Sequence, residues 1–320
     1  MADLQKFNQS LDQMVQLMLE MKRALAETPN TAPVMSAQSV VPVPPAPISD
    51  PVVPTIKHAP NSYESLKEIV LSNKWPEAVN PNLICDPQAE TDKQDRGRGI
   101  IELMIEEDLK GLRFLDFGCG EGHCAGLAKE YNPLMAVGYD LKSHPTWDTF
   151  PFGENLRFTT DIQEVESLGP YNVILMFDVI DHLTASDPVT VLSKARGLLA
   201  DNGKIYMRCH PFTSRHATHL YHTLNKAYLH LIFTENELAD LVPDCPYKET
   251  SARVIYPIKT YNDIIEKSSL KIINKRDITE QPETFFKAPN ISERIVKNTK
   301  MGQFPEFQMS LQFVDYVLGK

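Results

Sequence analysis

Residues Phe114 to His123 read Phe-Leu-Asp-Phe-Gly-Cys-Gly-Glu-Gly-His, an apolar run that ends on an acid, Asp116, and passes into Gly118, Gly120 and Gly122. Lacking a Cβ, such glycines let the backbone turn tightly and approach a ligand closely. Further acids recur downstream. Asp140 closes the run Val137-Gly138-Tyr139, 20 residues after Gly120, and is followed by Leu141. An acid at that interval can accept hydrogen bonds from both hydroxyls of a ribose. Asp161-Ile162 follows another apolar run, and Phe177 leads into Asp178-Val179-Ile180-Asp181-His182. Asp181 and His182, with Arg208 and His210 farther on, offer proton-handling groups, and an imidazole suits proton transfer near neutral pH.

These residues need elements that bring them to one place. Apolar runs suited to buried parallel strands fall at 113–117, 136–140, 156–159, 171–177 and 203–209. Helical patterns lie at about 92–109, 124–131 and 188–199. Asn61 or Ser62 can cap a further helix carrying Leu66, Ile69, Val70 and Leu71. Alternation of strand and helix is the pattern of a parallel α/β sheet. Two final segments, 270–277 and 307–318, complete it. Ligands of open α/β sheets bind beyond the carboxyl ends of the strands, and every acid named above stands at such an end.

The glycine spacing separates two readings of such a sheet. The dinucleotide fingerprint needs Gly-x-Gly-x-x-Gly, whereas here Gly122 comes one place early and His123 stands where the third glycine would be. The stretch resembles the first motif of class I S-adenosylmethionine-dependent methyltransferases, an acid followed by Gly-x-Gly-x-Gly, and Asp178-Val179-Ile180-Asp181-His182 looks like their fourth. The resemblance covers about residues 90–320. It implies an α/β, Rossmann-like, mostly parallel seven-stranded sheet with an antiparallel last strand, and S-adenosyl-L-methionine as cofactor. It implies cofactor contacts from Asp116, Gly118, Cys119, Gly120, Gly122, Asp140, Leu141, Asp161, Ile162 and Asp178. His182, His210 and Asp181 are the expected catalytic residues. O-methylation is the expected reaction, because these groups offer base chemistry.

The Asp178-x-x-Asp181-His182 cluster also resembles the Glu-x-x-Glu-His cluster of small-RNA 3′-terminal 2′-O-methyltransferases and of ubiquinone-pathway O-methyltransferases. In the former, those residues and a later histidine hold a divalent metal. Asp178, Asp181 and His182 are the corresponding candidates here, with His210 or His230 as the later ligand, but both acids are aspartates of shorter reach and the metal is not favoured. Five of the nine histidines (His210, His216, His219, His222 and His230) crowd one segment with Arg208, Arg215 and Lys226. That segment, near 210–245, reads either as a cover over the acceptor pocket or as a polar, solvated helical insertion.

The remaining 90 or so residues are organised differently. Leu4, Phe7, Leu11, Met14, Met18, Met21 and Leu25 repeat in steps of three and four, an a/d seam that predicts an amphipathic, coiled-coil helix over 1–28. Residues 29–60 hold nine prolines and read as a flexible, extended linker. The domain proper is expected over 61–320, with self-association or partner binding through the first helix. The formal charge of −10 argues against a nucleic-acid binder that uses its whole surface. Five scattered cysteines without Cys-x-x-Cys spacing suggest reduced thiols and a cytoplasmic location. No run of eighteen apolar residues is present, so no membrane partner is expected. The methyl acceptor, a small molecule or a nucleic acid, is not written in the chain. The alternatives are a non-catalytic component of a larger assembly that keeps this fold, and an RNA ribose or cap 2′-O-methyltransferase.

Overall fold

The computed structural model describes residues 62–79, 89–151, 153–183, 187–217, 220–243, 256–280, 286, 289–299 and 306–320. The helix and linker expected over 1–60 lie outside them, as do His219, Cys85 and Cys245. In chain order the elements are α1 (Tyr63–Leu71), α2 (Glu90–Met104), β1 (Arg113–Phe117), α3 (His123–Ala128), β2 (Met135–Tyr139), β3 (Leu156–Thr159), α4 (Ile162–Leu168) and β4 (Tyr171–Phe177). Then come α5 (Pro188–Leu198), β5 (Leu199–Cys209), α6 (Leu229–Ile232), α7 (Glu235–Leu241), α8 (Ile258–Lys267), β6 (Lys271–Thr279), α9 (Pro289–Thr299), α10 (Glu306–Ser310) and β7 (Leu311–Gly319).

The seven strands form one sheet in the order β3-β2-β1-β4-β5-β7-β6. Strands β1 to β5 pair in parallel, and β7 lies antiparallel between β5 and β6. This is the Rossmann-like arrangement, with strand order reversing between β1 and β4, where a crevice opens at the carboxyl ends. Alternate residues of a strand face opposite sides. Phe114, Val173 and Tyr206 accordingly pack with Ile101 and Met104 of α2 and Leu127 of α3. Leu115, Ile174 and Ile205 pack on the other face with Val165 of α4, Leu192 of α5 and Ile264 of α8.

Several boundaries differ from expectation for identifiable reasons. Helix α2 stops at Met104, before Glu106, Glu107 and Asp108, whose negative charges would oppose the dipole at a helix carboxyl end. Glu107 instead pairs with Lys204 and Tyr206 of β5. The last strand does not run from Phe307: residues 306–310 are helical, and Met309 is buried there in a separate apolar cluster. That cluster joins Leu66 and Val70 of α1, Leu229 and Ile232 of α6, and Ile291 and Ile295 of α9. The segment after β5 therefore has its own core and is not a polar, solvated helix. Among the described residues no helix is long and apolar enough to cross a membrane.

Candidate active site

The turn leaving β1 carries φ angles of 84° at Gly118, 51° at Gly120 and 86° at Gly122. These are left-handed values that side-chain-bearing residues adopt at a cost. The amides of Gly118 and Cys119 both donate to the Tyr139 carbonyl, at 2.8 and 2.9 Å, which ties the turn to the tip of β2. Space is equally restrictive at two of the positions: an added Cβ would lie 2.7 Å from Val179 at Gly118 and 2.6 Å from Phe158 at Gly122. At Gly120 it would meet nothing within 4 Å, so that glycine opens toward free space.

The acids around the turn do local structural work. Asp116 is buried, and its Oδ2 accepts the Ala125 amide at 3.2 Å, which holds the start of α3. Burial pushes its carboxyl up to about 7. Asp140 accepts the amides of Gly120 at 2.9 Å and Leu141 at 2.7 Å, and the Leu141 side chain is 75% exposed beside it. Asp161 is exposed and caps α4 by accepting the Gln163 amide at 2.8 Å, while Ile162 packs against the core. A cleft of about 340 Å³ adjoins the turn, lined by Asp116, Gly118, Cys119, Lys93, Arg96 and Phe177 among others. Lys93 in this cleft pairs with Glu121 at 2.8 Å. Burial raises the thiol pKa of Cys119 well above its ordinary value, so it lines the cleft as a neutral group.

Beyond β4 and β5 three further side chains converge. Asp178, Asp181 and His210 each bring one ligand-type atom to within 4.8 Å of the others. His210 Nε2 lies 3.5 Å from Asp178 Oδ1 and 3.8 Å from Asp181 Oδ2. Asp178 adopts a left-handed backbone with φ 54°, and its amide donates to the Arg208 carbonyl at 3.2 Å. Burial opposes ionisation of Asp178, but His210, Arg208 and Arg96 outweigh it and hold the carboxyl below its ordinary range. Burial, and then the Asp178 charge, push Asp181 up to about 7. Burial works against protonating His210, yet the Asp178 carboxylate prevails and raises it.

The expected partners of these acids are only partly the ones found. His182 follows in the single 3₁₀ turn Ile180–His182 and is exposed. Asp178 and Asp181 both reach His210, whereas the side chain of His182, next in the chain, is turned out to solvent. His230 also stays apart from the acids, with its Nε2 2.8 Å from the Phe212 carbonyl oxygen. His216, expected only as one of the clustered histidines, stands beside the site. Its ring packs edge-on to His210 at 5.0 Å, and burial drives its pKa down to about 3, keeping it neutral.

Comparison with known proteins bears on this assembly. Residues 90–245 match the family model described as a methyltransferase domain. Among curated proteins no significant match is found. Similar solved structures include an S-adenosylmethionine-dependent methyltransferase from Archaeoglobus fulgidus, at 15% identity over 71% of this chain and 94% of that one, with a TM-score of 0.45. Another is a putative S-adenosylmethionine-dependent methyltransferase from Listeria monocytogenes, at 16% identity, 72% and 99% coverage and a TM-score of 0.43. A third is the 1,6-didemethyltoxoflavin-N1-methyltransferase of Burkholderia thailandensis, with bound 1,6-didemethyltoxoflavin and S-adenosylhomocysteine, at 12% identity, 72% and 79% coverage and a TM-score of 0.41. The segment that matches the methyltransferase-domain model spans the glycine turn, the acids at the strand tips and the β4–β5 cluster.

Proposed function

We propose that the chain transfers a methyl group from S-adenosylmethionine to a hydroxyl oxygen of an acceptor held beyond β4 and β5. The observation that carries the cofactor reading is the turn at Gly120, which faces open space at the switch point of the sheet and is held by Asp140. The residues present fit that cofactor. Asp140 has lone pairs left for ribose hydroxyls, and Leu141 offers an exposed apolar surface for a base. Asp161 and Ile162 stand at the tip of β3, where they can flank the same base. Arg96 is exposed in the cleft, 5.8 Å from the Phe177 ring, and supplies a cation for a carboxylate.

S-adenosylmethionine supplies a methyl group already activated by a sulfonium charge, so the protein's task is to align the acceptor and exclude water. Removal of the acceptor's proton is the step for which side chains are needed. A cluster of two acids and an imidazole beside the cleft supports a hydroxyl acceptor, which must lose a proton, over a thioether or neutral amine. Asp178, Asp181 and His210 are the residues that would make that loss easier; exposed His182 is not in contact with them at metal-ligand range.

The test is calorimetric titration with sinefungin, followed by tritiated-methyl transfer to fractionated RNA, protein and metabolite pools. Micromolar binding and label in an alkali-stable ether support the reading. Absence of sinefungin binding would defeat it and favour a non-catalytic component of a larger assembly.

A further inference from the structure

We propose that Asp178, Asp181 and His210 form a binding site for an oxygen-preferring divalent cation of the Mn²⁺ type at the acceptor end of the cleft. The inference concerns the acceptor side of the function proposed above, but the site itself is built entirely from these three side chains. They come from two adjacent strand tips: the β4 tip brings both carboxylates, and the β5 tip brings the imidazole.

Three observations carry it. The Asp181 side chain is 0% exposed and that of His210 6%. Both Asp181 carboxylate oxygens are buried with no side-chain donor in hydrogen-bond range among the described residues, and Asp178 Oδ1 has only the long 3.5 Å contact with His210 Nε2. Buried carboxylates without donors are costly, and a cation at their centre removes that cost. The spacing agrees too. Nε2 stands 3.5 and 3.8 Å from the two carboxylate oxygens, longer than an ordinary N–H···O hydrogen bond. Ligand atoms each about 2.2 Å from a shared ion lie roughly 3 to 4.3 Å apart, which brackets both distances.

Charge and chemistry point the same way. Two carboxylates balance a divalent ion, and a carboxylate–imidazole donor set favours Mn²⁺, Mg²⁺ or Fe²⁺ over soft metals. The neighbouring cation is already committed: Arg208 bonds both oxygens of Asp315 at 2.6 and 2.8 Å and lies between the rings of Phe177 and Phe313. Asp178, with 18% side-chain exposure, marks the open side. A hydroxyl reaching a cation there would release its proton to water more readily, as ligands of bound cations do.

Mn²⁺ titrated into the full-length protein, without cofactor, and followed by the loss of the free-ion electron paramagnetic resonance signal should show one bound ion per chain. Asp181→Asn and His210→Ala should each weaken binding at least tenfold, while His182→Ala should leave it unchanged. No binding up to millimolar Mn²⁺, or binding indifferent to both site variants, overturns the proposal. Where a variant fails to fold, the wild-type protein decides: Mn²⁺ should broaden the ring resonances of His210 and its neighbour His216 before those of histidines far from the β4 and β5 tips, and uniform or absent broadening counts against the site. Sinefungin binding is measured separately, so loss of the cofactor reading and loss of the cation site are distinguishable.

Discussion

The carboxylate of Asp140 accepts the Gly120 amide at 2.9 Å, so the acid at the tip of β2 steadies the turn that leaves β1. One side chain thereby couples two neighbouring strand tips across the crevice. Asp140→Ala should loosen the turn and remove the acceptors for a ribose together. Sinefungin affinity should fall more than tenfold by calorimetry, while the melting temperature moves by only a few degrees, since a part-exposed loop bond contributes about 1 kcal/mol. Retained affinity would separate Asp140 from the cofactor.

Gly120 combines a left-handed φ of 51° with open space where a Cβ would stand. The strain of a β-branched residue there is about 1–2 kcal/mol, small enough for the fold to survive. The branched side chain would occupy the free space that the turn leaves open. Gly120→Val should therefore leave a cooperative melt and abolish sinefungin binding. A folded variant that binds normally would refute the assignment of the turn.

Asp116 carries a pH signature. Burial raises its folded-state pKa to about 7, against about 3.9 for an unfolded chain. Between those values the folded protein holds a proton that the unfolded chain has lost, so stability falls as pH rises, by up to about 1.4 kcal/mol per pH unit. Asp116→Asn keeps an oxygen for the Ala125 amide but does not titrate. Its melting temperature should gain on the wild type from about pH 4 to about pH 7 and then hold a constant lead. Parallel curves for the two proteins across this range would show that Asp116 ionises normally.

The glycine turn and the strands beside it were legible because they are local: Arg113–Phe117, Leu156–Thr159 and Tyr171–Phe177 are apolar runs whose ends coincide with the observed strands. Asp161 was ambiguous for a physical reason, since the residue after a strand is also the natural cap of the next helix, and it does cap α4. The cluster at β4 and β5 was only half legible. Asp178 and Asp181 are joined by one turn, but the choice of His210 over His182 or His230 depends on strand pairing, which places Arg208 beside Phe177. The apolar cluster of α1, α6 and α9 depends on contacts between residues more than 150 positions apart, such as the Trp75 indole donating to the Ala227 carbonyl, and no periodicity reports those.

Asp315 is where the antiparallel strand supports the site. It is 7% exposed and accepts from Arg208 and, at 2.7 Å, from Arg276. Arg208 is itself only 16% exposed in its side chain, and its carbonyl receives the Asp178 amide. Asp315→Ala strands a largely buried guanidinium, a change that costs about 3–5 kcal/mol. Urea denaturation should show a loss of that size. Replacing the cation as well, in Asp315→Leu with Arg208→Met, should recover part of it, because a buried pair exchanged for apolar side chains is often neutral. Should the double variant be as unstable as the sum of the singles, packing of Arg208 between Phe177 and Phe313, and not its charge, would be what holds the β5 tip beneath Asp178.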